Sequence, residues 1–267
     1  MSIASAEAVT ASDTPIAIEL NSVGVRFVTD RGIVTALQDI NLRITEGSFT
    51  SLIGPSGCGK STLLRVAADI IKPTTGSVKI LGRSAEEARK NREIGFVFQD
   101  PSLLPWRTVL ENVLLPMELG GDMTPSNAGD PYVLIKLVGL AGWENAMPHE
   151  LSGGMRQRVS IARALISAPR MLLMDEPFGA LDEITRDRLN EELLRIWETT
   201  GTTVLFVTHS LYEAAFLGQQ VLLLAAHPGR IRDMSPVNLA SPRDLSMREL
   251  PEFMETITKL RGILETC

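Results

Sequence analysis

The chain has 267 residues, 44% of them hydrophobic and 22% charged, with a net charge of −6. That length and composition suit a globular core, and the acidic balance argues against the basic face that nucleic acid requires. Two cysteines, Cys58 and Cys267, make no disulfide framework and fit a reducing compartment. No apolar run approaches the roughly 20 residues of a membrane span.

In chain order, residues 1–15 lack the basic start and apolar stretch of a signal peptide and are expected to form a disordered tail. Residues 16–20 and 23–28 are predicted as early strands, and 49–53 as a short buried strand ending at a glycine. A helix follows over 61–68. Residues 94–98, 171–174 and 203–207 are apolar runs of strand length, as expected of strands buried on both faces. Residues 101–160 carry Pro101, Pro105, Pro116, Pro125, Pro131 and Pro148 with helical stretches, and are read as a helical insertion. Leu189, Leu193, Ile196 and Trp197 share one helical face. The tail 236–267 is expected to be helical, with Pro251 in a first turn and Phe253, Ile257, Leu260 and Leu264 on one stripe. The alternation of strands and helices predicts an α/β fold with a largely parallel sheet.

Residues Gly54, Pro55, Ser56, Gly57, Cys58, Gly59, Lys60, Ser61 and Thr62 fit the G-x-x-x-x-G-K-[ST] pattern. Glycines let the backbone close around phosphates with its N–H groups pointing inward. The helix that follows presents its positive end to the same anion. Lys60 adds a mobile charge for β- and γ-phosphates, and the Ser61 hydroxyl suits Mg²⁺. Cys58 lies inside this loop, where a bulky adduct on its thiol is expected to fill the phosphate space.

A second apolar strand, 170–176, ends in Asp175 and Glu176. Ligands gather at the carboxyl ends of parallel strands. There Asp175 is suited to hold Mg²⁺ through water, and Glu176 to polarise the attacking water. A further strand ends at Thr208 and His209, which places an imidazole at the same sheet edge.

Residues 151–158 read Leu-Ser-Gly-Gly-Met-Arg-Gln-Arg. This stretch resembles the signature of ABC transporters. Together with the phosphate loop, Gln99, Asp175-Glu176, Gly179-Ala180-Leu181-Asp182 and His209, in that family's order, the resemblance spans roughly residues 16–235. It implies a P-loop NTPase fold, the ABC nucleotide-binding domain, with a RecA-like core, an N-terminal antiparallel β region and a helical subdomain at about 101–160. It implies ATP and Mg²⁺ as ligands. Gln99 is expected to touch Mg²⁺ and the attacking water in a loop that senses a permease, and Phe27 to stack on adenine. Asp182 is expected at the nucleotide interface. Ser152, Gly153 and Gly154 are expected to contact the γ-phosphate held by a second copy, so that a homodimer carries two interfacial ATP sites.

Phe98-Gln99-Asp100-Pro101, Leu104-Pro105-Trp106, Phe178 to Asp182 and His227-Pro228-Gly229-Arg230-Ile231 look like the nitrate/sulfonate/taurine-type importers. That group implies a separate integral-membrane permease, an extracytoplasmic solute-binding protein, and a peripheral place on the cytoplasmic face of a bacterial inner membrane. Trp106 is read as a packing or permease-docking residue. The sequence departs from the group at Ser210, where Asp is common, and at Gln219-Gln220, where Asp-Arg is frequent. The rival reading is a non-transport ABC ATPase acting on nucleic acid or the ribosome. A single motif set and the short stretch between Gln99 and Leu151 argue against it.

Overall fold

The computed structural model describes residues 14–30, 32–119 and 129–267. The expected tail up to residue 13, and Pro125 of the insertion, lie outside the described residues. The chain enters at Pro15, whose carbonyl accepts from the Glu46 amide at 2.8 Å. Strands β1 (Ile16–Thr29) and β2 (Gly32–Thr45) then form a long antiparallel hairpin. Sequence reasoning separates 16–20 from 23–28, but the two run as one strand. Ser22 takes a φ of 48°, and the register slips between Leu20 and Val23. The interruption is thus a bulge and not a turn.

Next come β3 (Phe49–Ile53), α1 (Lys60–Ala67), β4 (Thr75–Ile80), β5 (Arg83–Ser84), α2 (Ala85–Lys90) and β6 (Ile94–Val97). A helical stretch follows: α3 (Val109–Glu118), α4 (Pro131–Leu137), a 3₁₀ turn at Pro148–Glu150, and α5 (Gly153–Leu165). Its caps are written in the sequence. Thr108 and Glu111 make a capping box on α3, and Asp130 caps α4 just before Pro131. The chain then alternates through β7 (Met171–Asp175), α6 (Glu183–Thr200), β8 (Thr203–Val207), α7 (Leu211–Leu217), β9 (Gln220–Ala225) and β10 (Arg230–Pro236). It closes with a 3₁₀ turn at Leu245–Glu249 and α8 (Pro251–Leu264).

One sheet has the order β10-β9-β3-β8-β7-β6 and is parallel except for β10; the other, β2-β1-β4-β5, is antiparallel. Every residue of β3, β7 and β8 is buried, which is why these strands read as unbroken apolar runs. Their carboxyl ends lie side by side, with Leu52 beside Val207 and Val207 beside Asp175. This edge gathers the loop after β3, the acids after β7 and His209 after β8.

Two apolar cores sandwich the parallel sheet. On one face, α5, α6, α7 and α8 pack together through Leu189, Leu193, Ile196, Phe216, Phe253 and Ile257. Trp197 extends the α6 stripe, donating its indole N–H to the Gly47 carbonyl at 3.1 Å and meeting the Phe49 ring edge-on. On the other face, α1 and the antiparallel sheet bury Ile18, Leu20, Leu37, Leu63 and Leu64.

Candidate active site

The loop 54–59 turns tightly between β3 and α1 because Gly57 and Gly59 adopt φ of 77° and 100°, values that favour glycine. A side chain at Gly59 would also stand 2.7 Å from Leu37 Cδ2. Helix α1 starts at Gly59 without a side-chain cap, so its first amides remain free to meet an anion. The loop borders a cleft of about 350 Å³, lined by Ser56, Gly57, Gly59, Lys60, Ser61 and Thr62 on one side and by Ala36 and Glu176 across it. Lys60 is buried, and its ammonium donates to the carbonyls of Gly54 at 2.8 Å and Pro55 at 3.1 Å. A cation is thereby held within the curve of the loop.

Cys58 departs from expectation. Its side chain is 1% exposed and packs into the core beneath the loop, and burial pushes the thiol pKa up. Cys58 does not line the cleft: its amide donates to Pro55 O at 3.3 Å, and its sulfur packs close to Gly54. Gly229, which the sequence offers only as part of a subgroup pattern, braces the loop from behind. The Gly229 amide donates to Ala36 O at 3.1 Å, its carbonyl accepts from Gln38 N at 2.9 Å, and a Cβ there would collide with the Cys58 carbonyl.

Asp175 is 6% exposed, and Ser61 Oγ donates to its Oδ1 at 2.8 Å. Burial raises the Asp175 pKa; the Ser61 bond and the Arg65 guanidinium, 3.9 Å from Oδ2, oppose that rise. A hydroxyl and a carboxylate so paired fit the donor set of a Mg²⁺ that takes its other ligands from phosphates and water. Among the described residues, no cluster of three or more His, Cys, Asp or Glu side chains is placed to hold a metal by itself.

Glu176 has a φ of 45° and its amide donates to Val207 O at 3.1 Å, so the residue is turned out at the strand end. Its Oε2 lies 3.2 Å from His209 Nδ1. Thus Lys60, Ser61, Asp175, Glu176 and His209, drawn from three strand ends, meet at one edge.

Other expected site residues sit elsewhere. Gln99 is exposed just after β6, and the preceding Phe98 carbonyl is held by Gln157 Nε2 at 3.2 Å. Ser152 caps α5, accepting from Met155 N at 3.3 Å. Gly153 lies against Leu181, and buried Gly154 against Thr185. The cleft at the phosphate loop is lined by no residue of 151–158. Asp182 caps α6 by accepting from Thr185 N at 2.9 Å, which lowers its carboxyl pKa. Phe27 lies opposite Val34 on the β1–β2 hairpin and is 39% exposed, so it is not a core-face residue. The three departures from the group pattern are satisfied locally. Ser210 Oγ accepts from Glu213 N, Gln219 Oε1 accepts from Phe49 N, and Gln220 donates to Thr50 Oγ1.

The sequence pattern of the family described as "ABC transporter" matches residues 37–179. The chain belongs to the ABC transporter family. The cassette is 45% identical over 227 residues to the aliphatic sulfonates import ATP-binding protein SsuB of Bacillus subtilis, covering 85% of this chain and 86% of that protein. It is 44% identical over 255 residues to the taurine import ATP-binding protein TauB of Rhizobium johnstonii, covering 93% and 97%. Its fold matches the dimeric post-hydrolysis structure of the ATP-binding cassette MJ0796 bound to ADP and Pi. There the TM-score is 0.72 at 34% identity, over 84% of this chain and 100% of that one. The protein is therefore an ABC-type ATPase with the P-loop NTPase fold. Among the described residues, no helix of the cassette is long and apolar enough to cross a membrane.

Proposed function

We propose that this cassette is the ATP-hydrolysing subunit of a bacterial importer for a small anion of the nitrate, sulfonate or taurine type. The observation that carries the reading is the meeting of Ser61 with Asp175 and of Glu176 with His209 beside the Lys60 loop. Lys60 and the first amides of α1 hold the β- and γ-phosphates and stabilise charge as the terminal bond loosens. Ser61 and Asp175, with Gln99, hold Mg²⁺, which neutralises phosphate oxygens when bound. Glu176 accepts a proton from, or polarises, the attacking water, and His209 steadies Glu176 and the γ-phosphate. Phe27 stacks on adenine.

Ser152, Gly153 and Gly154 serve the partner's γ-phosphate, with Asp182 at the same interface, so two copies close two sites. Support comes from the place of Ser152 at the N-terminus of α5 and from the lining of this chain's own cleft, to which residues 151–158 contribute nothing. The permease docks in the groove of about 480 Å³ between β6, α2, α3 and α5, where Phe96, Phe98 and Leu119 offer apolar surface one step from Gln99. Trp106, 69% exposed, lies on the loop that leads into α3. A solute-binding protein outside the membrane completes the system, which places the cassette on the cytoplasmic face. The solute class is supported by the sulfonate and taurine relatives. The test is growth of a host strain lacking this chain on taurine or an alkanesulfonate as sole sulfur source, and on nitrate as sole nitrogen source. One of these should fail, be restored by the wild-type chain and not by Glu176→Gln. Unimpaired growth on all of them, with unimpaired uptake of each labelled anion, overturns the solute class.

A further inference from the structure

Glu213 lies on the first turn of α7 and is only 5% exposed. Its carboxylate does not cap its own helix; that task falls to Ser210 Oγ, which accepts from Glu213 N at 3.3 Å. Instead Glu213 Oε2 accepts from the Thr208 hydroxyl, and the same Thr208 oxygen accepts from Ser210 N at 3.0 Å. Thr208 is thus tied directly to a buried carboxylate and Ser210 to it through the Thr208 hydroxyl, while the imidazole between them reaches out to Glu176.

The other oxygen of Glu213 faces α6. Oε1 stands 3.9 Å from Arg186 Nε, and among the described residues neither atom has a hydrogen-bond partner, although the nearby Asn190 amide helps to hold the carboxyl pKa down against burial. The Arg186 guanidinium meanwhile donates from Nη2 to the Leu181 carbonyl at 2.9 Å, next to Asp182. A continuous path therefore runs from the Asp182 turn through Arg186 and Glu213 to Thr208 and His209. Arg248 and Asp187, bridged at 2.7 Å, line a cavity of about 410 Å³ with Arg186, Glu213, Ser210 and Tyr212.

A residue that only filled this space would need no acceptor oxygen for the Thr208 hydroxyl. Burial already pushes the Glu213 pKa up, and a half-satisfied buried carboxylate costs stability that an apolar side chain would not. Such local conflicts mark functional positions.

We propose that Glu213 is a positioning residue for ATP hydrolysis, fixing the segment that carries His209 and joining it to the turn at Asp182 through Arg186. The proposal rests on the reading of His209 as a group at the γ-phosphate. Glu213 touches no reacting atom; it acts by holding Thr208 and Ser210 so that His209 keeps its place beside Glu176.

The test is steady-state ATPase of the full chain with Mg-ATP, in the variants Glu213→Ala, Glu213→Gln, Thr208→Val, His209→Ala and the His209→Ala/Glu213→Ala pair. Glu213→Ala should lower kcat about tenfold while KM for ATP stays within about twofold. Glu213→Gln keeps an oxygen for the Thr208 hydroxyl and should recover kcat to within about threefold of wild type. Thr208→Val keeps the shape, loses the hydroxyl and should reproduce the Glu213→Ala loss; it decides the matter if Glu213→Ala does not fold. In the His209→Ala background, Glu213→Ala should add no further loss, since coupled residues are non-additive. Full kcat in Glu213→Ala or in Thr208→Val overturns the proposal. So does an equal loss with and without His209, which signals general damage. Wild-type turnover in His209→Ala removes the role of His209 and this proposal with it. An inactive His209→Ala beside a fully active Glu213→Ala strikes the proposal alone.

Discussion

Ser61 and Asp175, 114 positions apart in the chain, meet at 2.8 Å where β3 and β7 end on either side of β8. The contact partly offsets the burial of the Asp175 carboxylate, whose pKa nonetheless stays raised. A carboxyl with a raised folded pKa adds stability that is fully present below its unfolded value and is lost as pH rises through the folded value. At neutral pH the charge is therefore a burden when no cation shares it. Asp175→Asn is expected to raise the Tm of the nucleotide-free protein at pH 7, because it removes a buried charge. The gain should shrink toward the ordinary aspartate range, and Mg-dependent ATPase should be lost. Thermal unfolding across pH checks this, and a Tm at pH 7 no higher than wild type sinks it.

Lys60→Ala removes the cation held by the carbonyls of Gly54 and Pro55. Phosphate release should fall about a hundredfold or more, the scale of losing a transition-state charge contact. Turnover close to wild type would take the phosphate-loop role away from Lys60.

Glu176→Gln keeps the shape beside His209 and removes the carboxylate that faces it. Hydrolysis should stop while Mg-ATP still binds, and mass action should then hold two chains together around two nucleotides. Light scattering should register a dimer only with Mg-ATP present. Adding Ser152→Arg, at the α5 cap, should abolish it. A dimer indifferent to both changes disproves the composite site.

The two thiols should differ in rate. Cys58 is buried with its pKa raised by burial, whereas Cys267 is partly exposed with a smaller burden of burial. Since the thiolate is the reactive form, maleimide at pH 7 should label Cys267 first. Cys58 should react only on the timescale of local opening, with ATP slowing it by stabilising the fold. Peptide mapping after brief labelling decides; rapid modification of Cys58 contradicts the placement of its sulfur.

Gly229→Ala should push the β9–β10 turn away from the Cys58 carbonyl. Overpacking of this kind costs about 1–3 kcal/mol. Because the pressure falls on the phosphate loop, KM for ATP should rise about tenfold. An unchanged KM beside a lowered Tm would confine Gly229 to stability.

Much of the site was written locally. The glycines, Lys60 and Ser61 must be adjacent to wrap one phosphate. Asp175 and Glu176 end an apolar strand, and Ser152 and Asp182 carry the short side chains that helix caps require. Short-range chemistry of this kind survives in a linear reading, as do the stripe of α6 and the Pro251 start of α8. Tertiary structure decided the rest. The fusion of the first two expected strands into β1 depends on pairing with β2 and β4, which no local pattern encodes. Cys58 is buried in the core formed by α1 and the antiparallel sheet, and Gln219 and Gln220 found partners on β3. The approach of Arg186 to Glu213 exists only once α6 and α7 pack side by side. Sequence spacing ranks neighbours along one helix or strand. It carries no information on which distant backbone or side chain will fill the remaining volume, because that is settled by the packing of all elements at once.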